Sequence, residues 1–287
     1  IMNDKKTDYK SAGVNIKAGN EAVNLIKEKV KRTHTREVLT GIGSFGSLYS
    51  IKGILSDYAN PVLVQSIDGV GTKTIIARKM KKFNTIGIDL LSACVNDILV
   101  MGAKPLTFLD YIANDKLNPI IVDKIVEGMA KACKETGVSL VGGETAEMPD
   151  TYLQGELDLV GIITGIVDKD KIITGKNISP GDVLVGLPSN GLHTNGYSLA
   201  RKIFFKDMSY DVNTYLESLN NTVGAALLEP HINYTNHVFK LLNEQINVKG
   251  IAHITGGGLT ENIPRILPNG CSVKIQKGTW PSLPIFD

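Results

Sequence analysis

The amino-acid sequence predicts an α/β (α+β) protein with two domains, and three observations support this fold class. The chain has 287 residues, 43% of them hydrophobic, which is enough to form one large core or two of ordinary size. Apolar runs of strand length alternate with segments of helical periodicity. A polar, lysine-rich stretch at 168–180 interrupts this alternation. We therefore predict an N-terminal domain over residues 1–170 and a C-terminal α/β domain over residues 171–287.

The elements are predicted from periodicity and from capping residues. In the first half, the predicted helices cover 17–34, 86–105 and the segment from Asn118-Pro119 to Gly137, and the predicted strands cover 47–51, 61–67, 106–113, 138–141 and 157–167. In the second half, the predicted strands are 182–187 and 250–254, and the predicted helices are 197–205, a segment around Val238, and 259–267.

Charge and cysteine usage exclude several classes of protein. The formal net charge is +2 and the Lys and Arg residues are scattered, so nucleic acid is not an expected partner. The three cysteines show no metal-ligand spacing and no disulfide framework, which indicates a reducing, cytoplasmic location. No apolar run reaches membrane-spanning length, so no membrane association is expected.

The segment 86–105 organises the sequence because it is apolar on most sides and yet carries Asp89, Asn96 and Asp97. At helical spacing these three polar residues share one face. Carboxylates on a buried helix need a compensating charge, and the only lysine or arginine of the segment is Lys104 at its far end, seven residues after Asp97. A bound magnesium ion, which prefers oxygen ligands, would provide that charge. The alternative is that both carboxylates lie at helix ends and face water.

Three glycine-containing segments indicate phosphate binding. A loop with Gly41, Gly43 and Gly46 matches G-x-G-x-x-G but lacks a preceding strand, which favours a flexible loop over a ligand rather than a dinucleotide fold. The strand at 61–67 leads into a turn that combines an acid, two glycines, a hydroxyl and a lysine: Asp68, Gly69, Gly71, Thr72 and Lys73. Backbone amides and the lysine would bind phosphate there, and the acid would hold a metal. An ordinary turn capped by the acid is the alternative.

Further polar residues follow predicted strands. Glu144 comes after two glycines at the end of the strand at 138–141. In the second half, a loop with Asn190, His193 and Asn195 precedes a helix and has the groups for recognising a polar ligand. The turn Gly256-Gly257-Gly258 joins a strand to a helix and suits a phosphate. Its alternative is a close-packing turn.

Together these segments resemble one family, the phosphoribosylformylglycinamidine cyclo-ligases, also called aminoimidazole ribonucleotide synthetases. The motifs that carry the resemblance are YKSAGVNIKAG at 9–19, GIGSFGSLY at 41–49, DGVGTK at 68–73, GIDLLSACVNDILVMGAKPLTFLDY at 87–111, GGETAEMPDTY at 142–152, GLHTNGYSLARK at 191–202 and HITGGGLTENIPRILP at 253–268. They span nearly the whole chain in the order found in the family.

The resemblance implies an N-terminal mixed sheet that pairs into a homodimer, with ATP as co-substrate and Mg²⁺ as cofactor. Formylglycinamidine ribonucleotide would be closed to aminoimidazole ribonucleotide, with release of ADP and phosphate, in purine biosynthesis. The implied metal ligands are Asp68, Asp89, Asp97 and Glu144. The implied nucleotide contacts are Gly41, Gly43, Gly46, Gly69, Gly71, Thr72, Lys73 and Asn96. The implied substrate contacts are Asn190, His193, Asn195, Gly256, Gly257 and Gly258, and His193, Asp68 and Lys73 are the expected catalytic residues.

The sequence also departs from the family pattern. Ser44 and Ser47 stand where glycine is commoner, and His231 stands where a threonine usually follows proline. Family members usually continue well beyond the final segment WPSLPIFD, so we expect an incomplete C-terminal domain. The alternatives are another ATP-dependent enzyme of the same superfamily or a non-catalytic nucleotide-binding protein. A selenophosphate synthetase is disfavoured because residues 1–40 contain no cysteine.

Overall fold

A four-stranded mixed sheet forms the centre of the first half of the chain in the computed structural model, which describes residues 9 and 13–287. Its strands are β1 (Pro61–Gly69), β2 (Lys104–Asn114), β3 (Ser139–Glu147) and β4 (Leu157–Asp168). Their order is β1-β4-β2-β3, in which only the β2–β3 pair is parallel. The mixed sheet that the family resemblance implied is therefore confirmed.

Helices pack against this sheet. Those that contact its strands are α1 (Ile16–Lys31), α4 (Asn84–Leu99) and α5 (Pro119–Thr136), and the two shorter helices of this half are α2 (Lys52–Leu55) and α3 (Lys73–Met80). The α5 prediction is confirmed at both ends, since the Asn118 side chain accepts hydrogen bonds from two first-turn amides and Gly137 ends the helix with φ of 75°. The prediction of a buried helix at α4 is also confirmed, because most of its residues have almost no exposed surface.

Two glycines allow α4 and α5 to cross at very short distance. A Cβ atom at Gly87 would lie 2.0 Å from the carbonyl oxygen of Ile125, and one at Gly128 would lie 1.7 Å from that of Asn84. Both separations are far below van der Waals contact, so any side chain at either position would force the backbones apart. The position of α4 against the sheet therefore depends on this crossing.

The second half of the chain contains short elements. They are α6 (Tyr197–Arg201), β5 (Tyr215–Leu216), β6 (Asn221–Thr222), α7 (Val223–Leu227), α8 (Thr235–Asn243) and α9 (Gly258–Asn262), with a π-helical turn at Lys202–Asp207 after α6 and 3₁₀ turns at Lys169–Lys171, Glu217–Leu219, Ile263–Ile266 and Pro284–Phe286. The predicted helices at 197–205 and 259–267 thus form as a short α-helix followed by a different helical turn.

Three strand predictions were wrong. Residues 182–187 and 250–254 form no strand, and Val183 and Val185 are 86% and 83% exposed. A β-strand needs the backbone of a neighbouring strand, and neither segment pairs with another strand in the described part of the chain. Residues 47–51 contribute only an isolated bridge between Val38 and Tyr49. Conversely, β3 continues six residues beyond the predicted end at 141.

No helix in the described part of the chain is long and apolar enough to cross a lipid bilayer.

We expect Gly87→Ala and Gly128→Ala each to lower the free energy of unfolding by at least about 1–3 kcal/mol, because each methyl group would overlap a backbone carbonyl. Urea unfolding monitored by circular dichroism measures the change. Gly19→Ala is the matched control, because Gly19 lies in α1 with no atom within 4 Å of an added Cβ. It should stabilise by about 0.5–1 kcal/mol through helix propensity. Equal stability of all three variants would contradict this account of the crossing.

Candidate active site

A buried ion pair joins the two halves of the chain. Lys73, the first residue of α3, and Asp89 of α4 have no exposed side-chain surface, and Nζ of Lys73 lies 2.8 Å from Oδ1 of Asp89. The same ammonium donates to the carbonyl oxygen of His193 at 2.8 Å and to that of Glu229 at 2.7 Å. All three ammonium protons therefore have acceptors, two of them from the second half of the chain.

This geometry corrects two expectations. Lys73 is not available to phosphate in this arrangement, because its donors are used and its surface is covered. Asp89 is not isolated from cations, as the sequence had suggested, since Lys73 lies sixteen residues earlier in the chain and folds directly onto it. Asp89 Oδ1 also accepts from the backbone amide of His231 at 2.7 Å. Oδ1 of Asp89 is therefore occupied by Lys73 and His231, whereas its buried Oδ2 has no partner among the described residues, and its role as a magnesium ligand stays a prediction.

The charges of this pair oppose the effect of burial. Burial raises the pKa of Asp89 and lowers that of Lys73, and each charge acts on the other in the reverse sense. Three short acceptor contacts favour the ammonium form of the lysine, and the ammonium in turn favours the carboxylate form of Asp89. The pair is thus charged, and it is stabilised by the carbonyls that it holds in place.

Asn96 was expected to contact the nucleotide, and the structure gives it a different role. Its side chain is buried; Nδ2 donates to the carbonyl of Ile232 at 2.9 Å, and Oδ1 accepts from the amide of Tyr234 at 3.1 Å. Nδ2 also lies 3.1 Å from Nε2 of His231. Asn96 therefore anchors the segment before α8 to the buried helix α4.

His193 lies in a loop that strain and hydrogen bonds hold in place. Its φ angle is 58°, a left-handed conformation uncommon for a residue with a side chain. Nε2 lies 2.9 Å from Oδ1 of Asn190, and the carbonyl accepts from Lys73 and from the Tyr197 hydroxyl. Burial, with a smaller contribution from the charge of Lys73, lowers the pKa of His193 to about 4. The imidazole is therefore neutral at pH 7.

Asp68 and Asp97 form the second part of the site. Asp97 Oδ2 accepts from the hydroxyl of Ser66 at 2.9 Å, and Oδ1 lies 2.8 Å from Nδ1 of His253. Burial and, to a lesser extent, the charge of Asp97 raise the pKa of the Asp68 carboxyl. Two carboxylates close enough to repel each other fit Mg²⁺, which usually binds one or two carboxylates and takes its other ligands from phosphate and water.

Glu144 does not join this site within one chain. It lies on β3, which is the sheet edge opposite β1, so three strand spacings of about 4.8 Å, or about 14 Å, separate it from the strand of Asp68. Its register partner is Tyr111, one residue along from the row that holds Asp68, so its side chain points to the other sheet face. Within the described residues, no group of three or more His, Cys, Asp or Glu side chains is placed to hold a metal ion. The four acids thus do not come together within the described part of one chain, and their role as one metal centre stays a prediction.

The turn between β1 and α3 presents free backbone amides. Gly71 has φ of 52° and open space around its Cα, and no acceptor for the amides of Gly71 and Thr72 lies in the described part of the chain. These amides lie at the N-terminus of α3, next to Gly69 and Asp68. The loop with Gly41, Gly43 and Gly46 is exposed, with Phe45 fully in solvent.

The glycine turn of the second half lies beside the predicted substrate loop. A Cβ at Gly256 would lie 3.8 Å from Oδ1 of Asn195, so two predicted substrate residues are close neighbours. The buried side chain of Asn262 donates to the carbonyls of Thr255, Gly256 and Gly258 and so fixes the turn. Gly257 and Gly258 have φ of 89° and 62°, which explains why glycine occupies both positions.

Sequence reasoning assigned no role to several residues of the site. His253 and Ser66 contact Asp97, His231 stacks on His193, and Tyr197 contacts the carbonyl of His193. His253 opens the motif HITGGG, so it had a usable signal. The backbone carbonyls of His193 and Glu229, which accept from Lys73, could not be predicted from any side-chain pattern.

These features define an α/β protein whose two halves meet at one polar site, and comparison with known families assigns each half to a family model. Residues 52–167 match the family model described as AIR synthase related protein, N-terminal domain, and residues 179–287 match AIR synthase related protein, C-terminal domain.

The chain belongs to the phosphoribosylformylglycinamidine cyclo-ligase family. It is 51% identical to the phosphoribosylformylglycinamidine cyclo-ligase of Geobacillus thermodenitrificans over 97% of this chain and 80% of that protein. It is 50% identical to the protein of the same name from Syntrophotalea carbinolica over 100% of this chain and 81% of that protein, and 51% identical to that of Alkaliphilus oremlandii over 98% and 82%.

Solved structures agree on the fold alone. Thiamine-monophosphate kinase from Stenotrophomonas maltophilia superposes with a TM-score of 0.61 and 19% identity, covering 84% of this chain and 70% of the kinase. E. coli HypE, a hydrogenase maturation protein, gives a TM-score of 0.54 and 12% identity over 82% of this chain and 63% of that one.

Proposed function

We propose that this protein uses ATP to close formylglycinamidine ribonucleotide to aminoimidazole ribonucleotide, releasing ADP and phosphate. Relatives about 50% identical over nearly the whole chain carry the name of this activity. The geometric observation that carries the proposal is the meeting of both halves at one site. Asp97 from the N-terminal half contacts His253 from the C-terminal half, beside Asp68.

We also propose that the two halves are domains that divide near residue 170.

The reaction must remove the oxygen of a formyl amide, which is a poor leaving group. Transfer of the γ-phosphoryl group of ATP to that oxygen converts it into a phosphate ester of the imidic acid. The neighbouring nitrogen then attacks the activated carbon, the C–O bond breaks, and the oxygen leaves with the phosphate. Such a sequence requires positioning and charge stabilisation, and it needs no covalent protein nucleophile.

His193 is the residue we assign to proton handling. Asn190 donates through Nδ2 to the carbonyl of Pro230 at 2.9 Å, so its Oδ1 faces His193 and accepts from Nε2–H. The other ring nitrogen, Nδ1, is then the one left to take a proton from the attacking nitrogen. The lowered pKa of His193 keeps this nitrogen unprotonated at neutral pH.

The nucleotide would bind at the turn after β1. The free amides of Gly71 and Thr72 suit phosphate oxygens at the start of α3. Mg²⁺ would be held by Asp68 and Asp97, where it would neutralise charge on the phosphates.

The exposed loop with Gly41, Gly43 and Gly46 is free to cover the nucleotide. The turn Gly256–Gly258, with Asn195 beside it, suits the phosphate of the second substrate.

Incubation of the protein with ATP, Mg²⁺ and formylglycinamidine ribonucleotide should produce ADP and aminoimidazole ribonucleotide in equal amounts. His193→Ala should lower kcat by roughly 100-fold, the usual contribution of a general base, with little change in the KM for ATP. Product detection by the colour reaction of the aromatic amine, together with coupled ADP measurement, checks both. ADP formation without the imidazole product, or turnover that depends on thiamine monophosphate, would refute the proposal.

The metal assignment separates carboxylates that the sequence had grouped together. We expect Asp68→Asn and Asp97→Asn each to weaken Mg-ATP binding by roughly tenfold or more, because each removes a charged ligand. Glu144→Gln is the matched control, since Glu144 lies at the opposite sheet edge and should leave the affinity unchanged in calorimetric titration. A larger loss for Glu144→Gln than for the two aspartate variants would reject the assignment.

We propose a homodimer formed through the sheet face that the helices leave uncovered. Leu63 and Ile67 on β1 are 62% and 65% exposed on that face, and Leu109 and Ile162 on neighbouring strands join them. Contiguous apolar side chains on a sheet face indicate an interface with another protein surface. An identical sheet on a second copy would cover them by a two-fold arrangement.

Light scattering of the wild-type protein at micromolar concentration should return twice the monomer mass. Ile67→Glu should shift the protein to monomer, because it places a charge in the buried interface. Ile120→Glu is the control, since Ile120 is 66% exposed on the first turn of α5, away from the sheet. A monomeric wild type, or dissociation by both variants alike, would contradict the dimer surface.

A further inference from the structure

His231 is held by contacts on every side. It lies between α7 and α8, and its side chain is 2% exposed. Its backbone amide donates to Asp89 Oδ1 at 2.7 Å. On the ring, Nε2 lies 3.1 Å from Nδ2 of Asn96, and Nδ1 lies 3.3 Å from Oγ1 of Thr194. A buried side chain whose polar atoms are all paired with neighbours has a single orientation.

The network fixes which nitrogen of His231 carries the proton. The Asn96 amide cannot be reversed, because its Oδ1 accepts from the amide of Tyr234 and its Nδ2 donates to the carbonyl of Ile232. Nδ2 is therefore the atom that meets Nε2 of His231, and Nε2 accepts a hydrogen bond from it. The proton must then be on Nδ1, where it is donated to the Thr194 hydroxyl. His231 is thus a neutral, Nδ1-protonated imidazole.

The ring of His231 stacks on His193. The two centroids are 4.1 Å apart and the planes differ by 20°. His193 has the opposite tautomer, because Nε2–H donates to Oδ1 of Asn190 at 2.9 Å. The amide of Ile232 approaches the same nitrogen at 3.5 Å, which is the longer and weaker contact. The stack therefore pairs two neutral rings with different tautomers.

The loop of His193 needs such a support. Its left-handed φ of 58° is unfavourable for a residue with a side chain and persists only where neighbours hold it. On one side its carbonyl is held by Lys73 and Tyr197. On the other side the ring of His231 covers it, and Thr194, the next residue in the loop, is bonded to the same ring.

We propose that His231 is a positioning residue that holds the ring of His193 against Asn190, and so in the Nε2-protonated tautomer that Asn190 selects, with Nδ1 free for the reacting atoms. It acts through the stack and through Thr194, and it does not itself touch substrate. The kinetic consequence rests on the proposed function, whereas the tautomers do not.

Nitrogen NMR of the whole protein tests the tautomers without any activity measurement. The chain has five histidines, so ring-¹⁵N-histidine labelling gives few signals. We expect a neutral Nδ1–H ring that is lost in His231→Ala and a neutral Nε2–H ring that is lost in His193→Ala. His34, whose Nε2 faces the carbonyl of Leu140, and His253, whose Nδ1 faces Asp97, add a further Nε2–H and a further Nδ1–H signal that both variants retain. In His231→Ala the His193 signals should move towards the average of an imidazole that exchanges between tautomers. An unchanged His193 pattern in that variant, or an Nδ1–H tautomer of His193 in the wild type, would overturn the proposal.

Kinetics provide the second test. His231→Ala should lower kcat by roughly 10- to 100-fold, the scale of a misplaced catalytic group, and leave the KM for ATP within roughly twofold. His231→Phe keeps the stacked face and fills the same space, so it should recover most of the lost rate and remain folded if the alanine variant does not. His237→Ala is the matched control, because His237 is exposed on α8.

The outcomes separate the two proposals. If the wild type makes no imidazole product while the tautomers are as described, the proposed function fails and the positioning role stands. If the wild type is active and both His231→Ala and His231→Phe keep full kcat, the positioning role fails and the proposed function stands. Equal losses in His237→Ala and His231→Ala would also count against the positioning role.

Discussion

The ion pair of Lys73 with Asp89 is the interaction on which the rest of the site depends. Two charges without exposed surface are costly to bury, and their mutual attraction usually does little more than offset that cost. Breaking such a pair leaves an uncompensated charge and costs about 3–5 kcal/mol. The main effect of the ion pair is therefore to position other groups rather than to stabilise the fold. Three acceptors surround one ammonium, and two of them are carbonyls of the His193 loop and of the segment before His231. The pair fixes those segments against α4.

The polar residues of helix α4 contact several different segments of the site. Asp89 binds Lys73 and the amide of His231, Asn96 holds the segment up to Tyr234, and Asp97 reaches His253. Segments far apart in the second half of the chain are thus placed by residues at i, i+7 and i+8 of one helix. The helix can hold them only because it is itself held, by the glycine crossing with α5 and by the sheet beneath it. The positions of the site residues therefore depend on the packing of α4 against α5 and the sheet.

The sequence predicted what local chemistry determines. Asn118-Pro119 and Gly137 mark the ends of α5, and the apolar run with Asp89, Asn96 and Asp97 marked a buried helix with a polar face. The predictions from the sequence were wrong where a structure depends on contacts between residues distant in the chain. Strand order put Glu144 at the opposite edge from Asp68, and no local signal encodes that order. The 182–187 segment has strand composition but no neighbouring strand. Lys73 carried the signature of a phosphate ligand, and its actual acceptors include two backbone carbonyls that no side-chain pattern could indicate.

The difference between four predicted metal ligands and two converging carboxylates has a chemical consequence. A cage of four acids would bind a divalent cation by itself, whereas Asp68 and Asp97 supply only part of an octahedral shell. The remaining ligands would have to come from phosphate oxygens and water, so metal and nucleotide would bind as one unit. Burial and the charge of Asp97 both raise the pKa of Asp68, which means that these carboxylates are held together against their repulsion. A cation bound to both carboxylates would relieve that repulsion. The contact of Asp97 with His253 would then fix the second half of the chain relative to the cation.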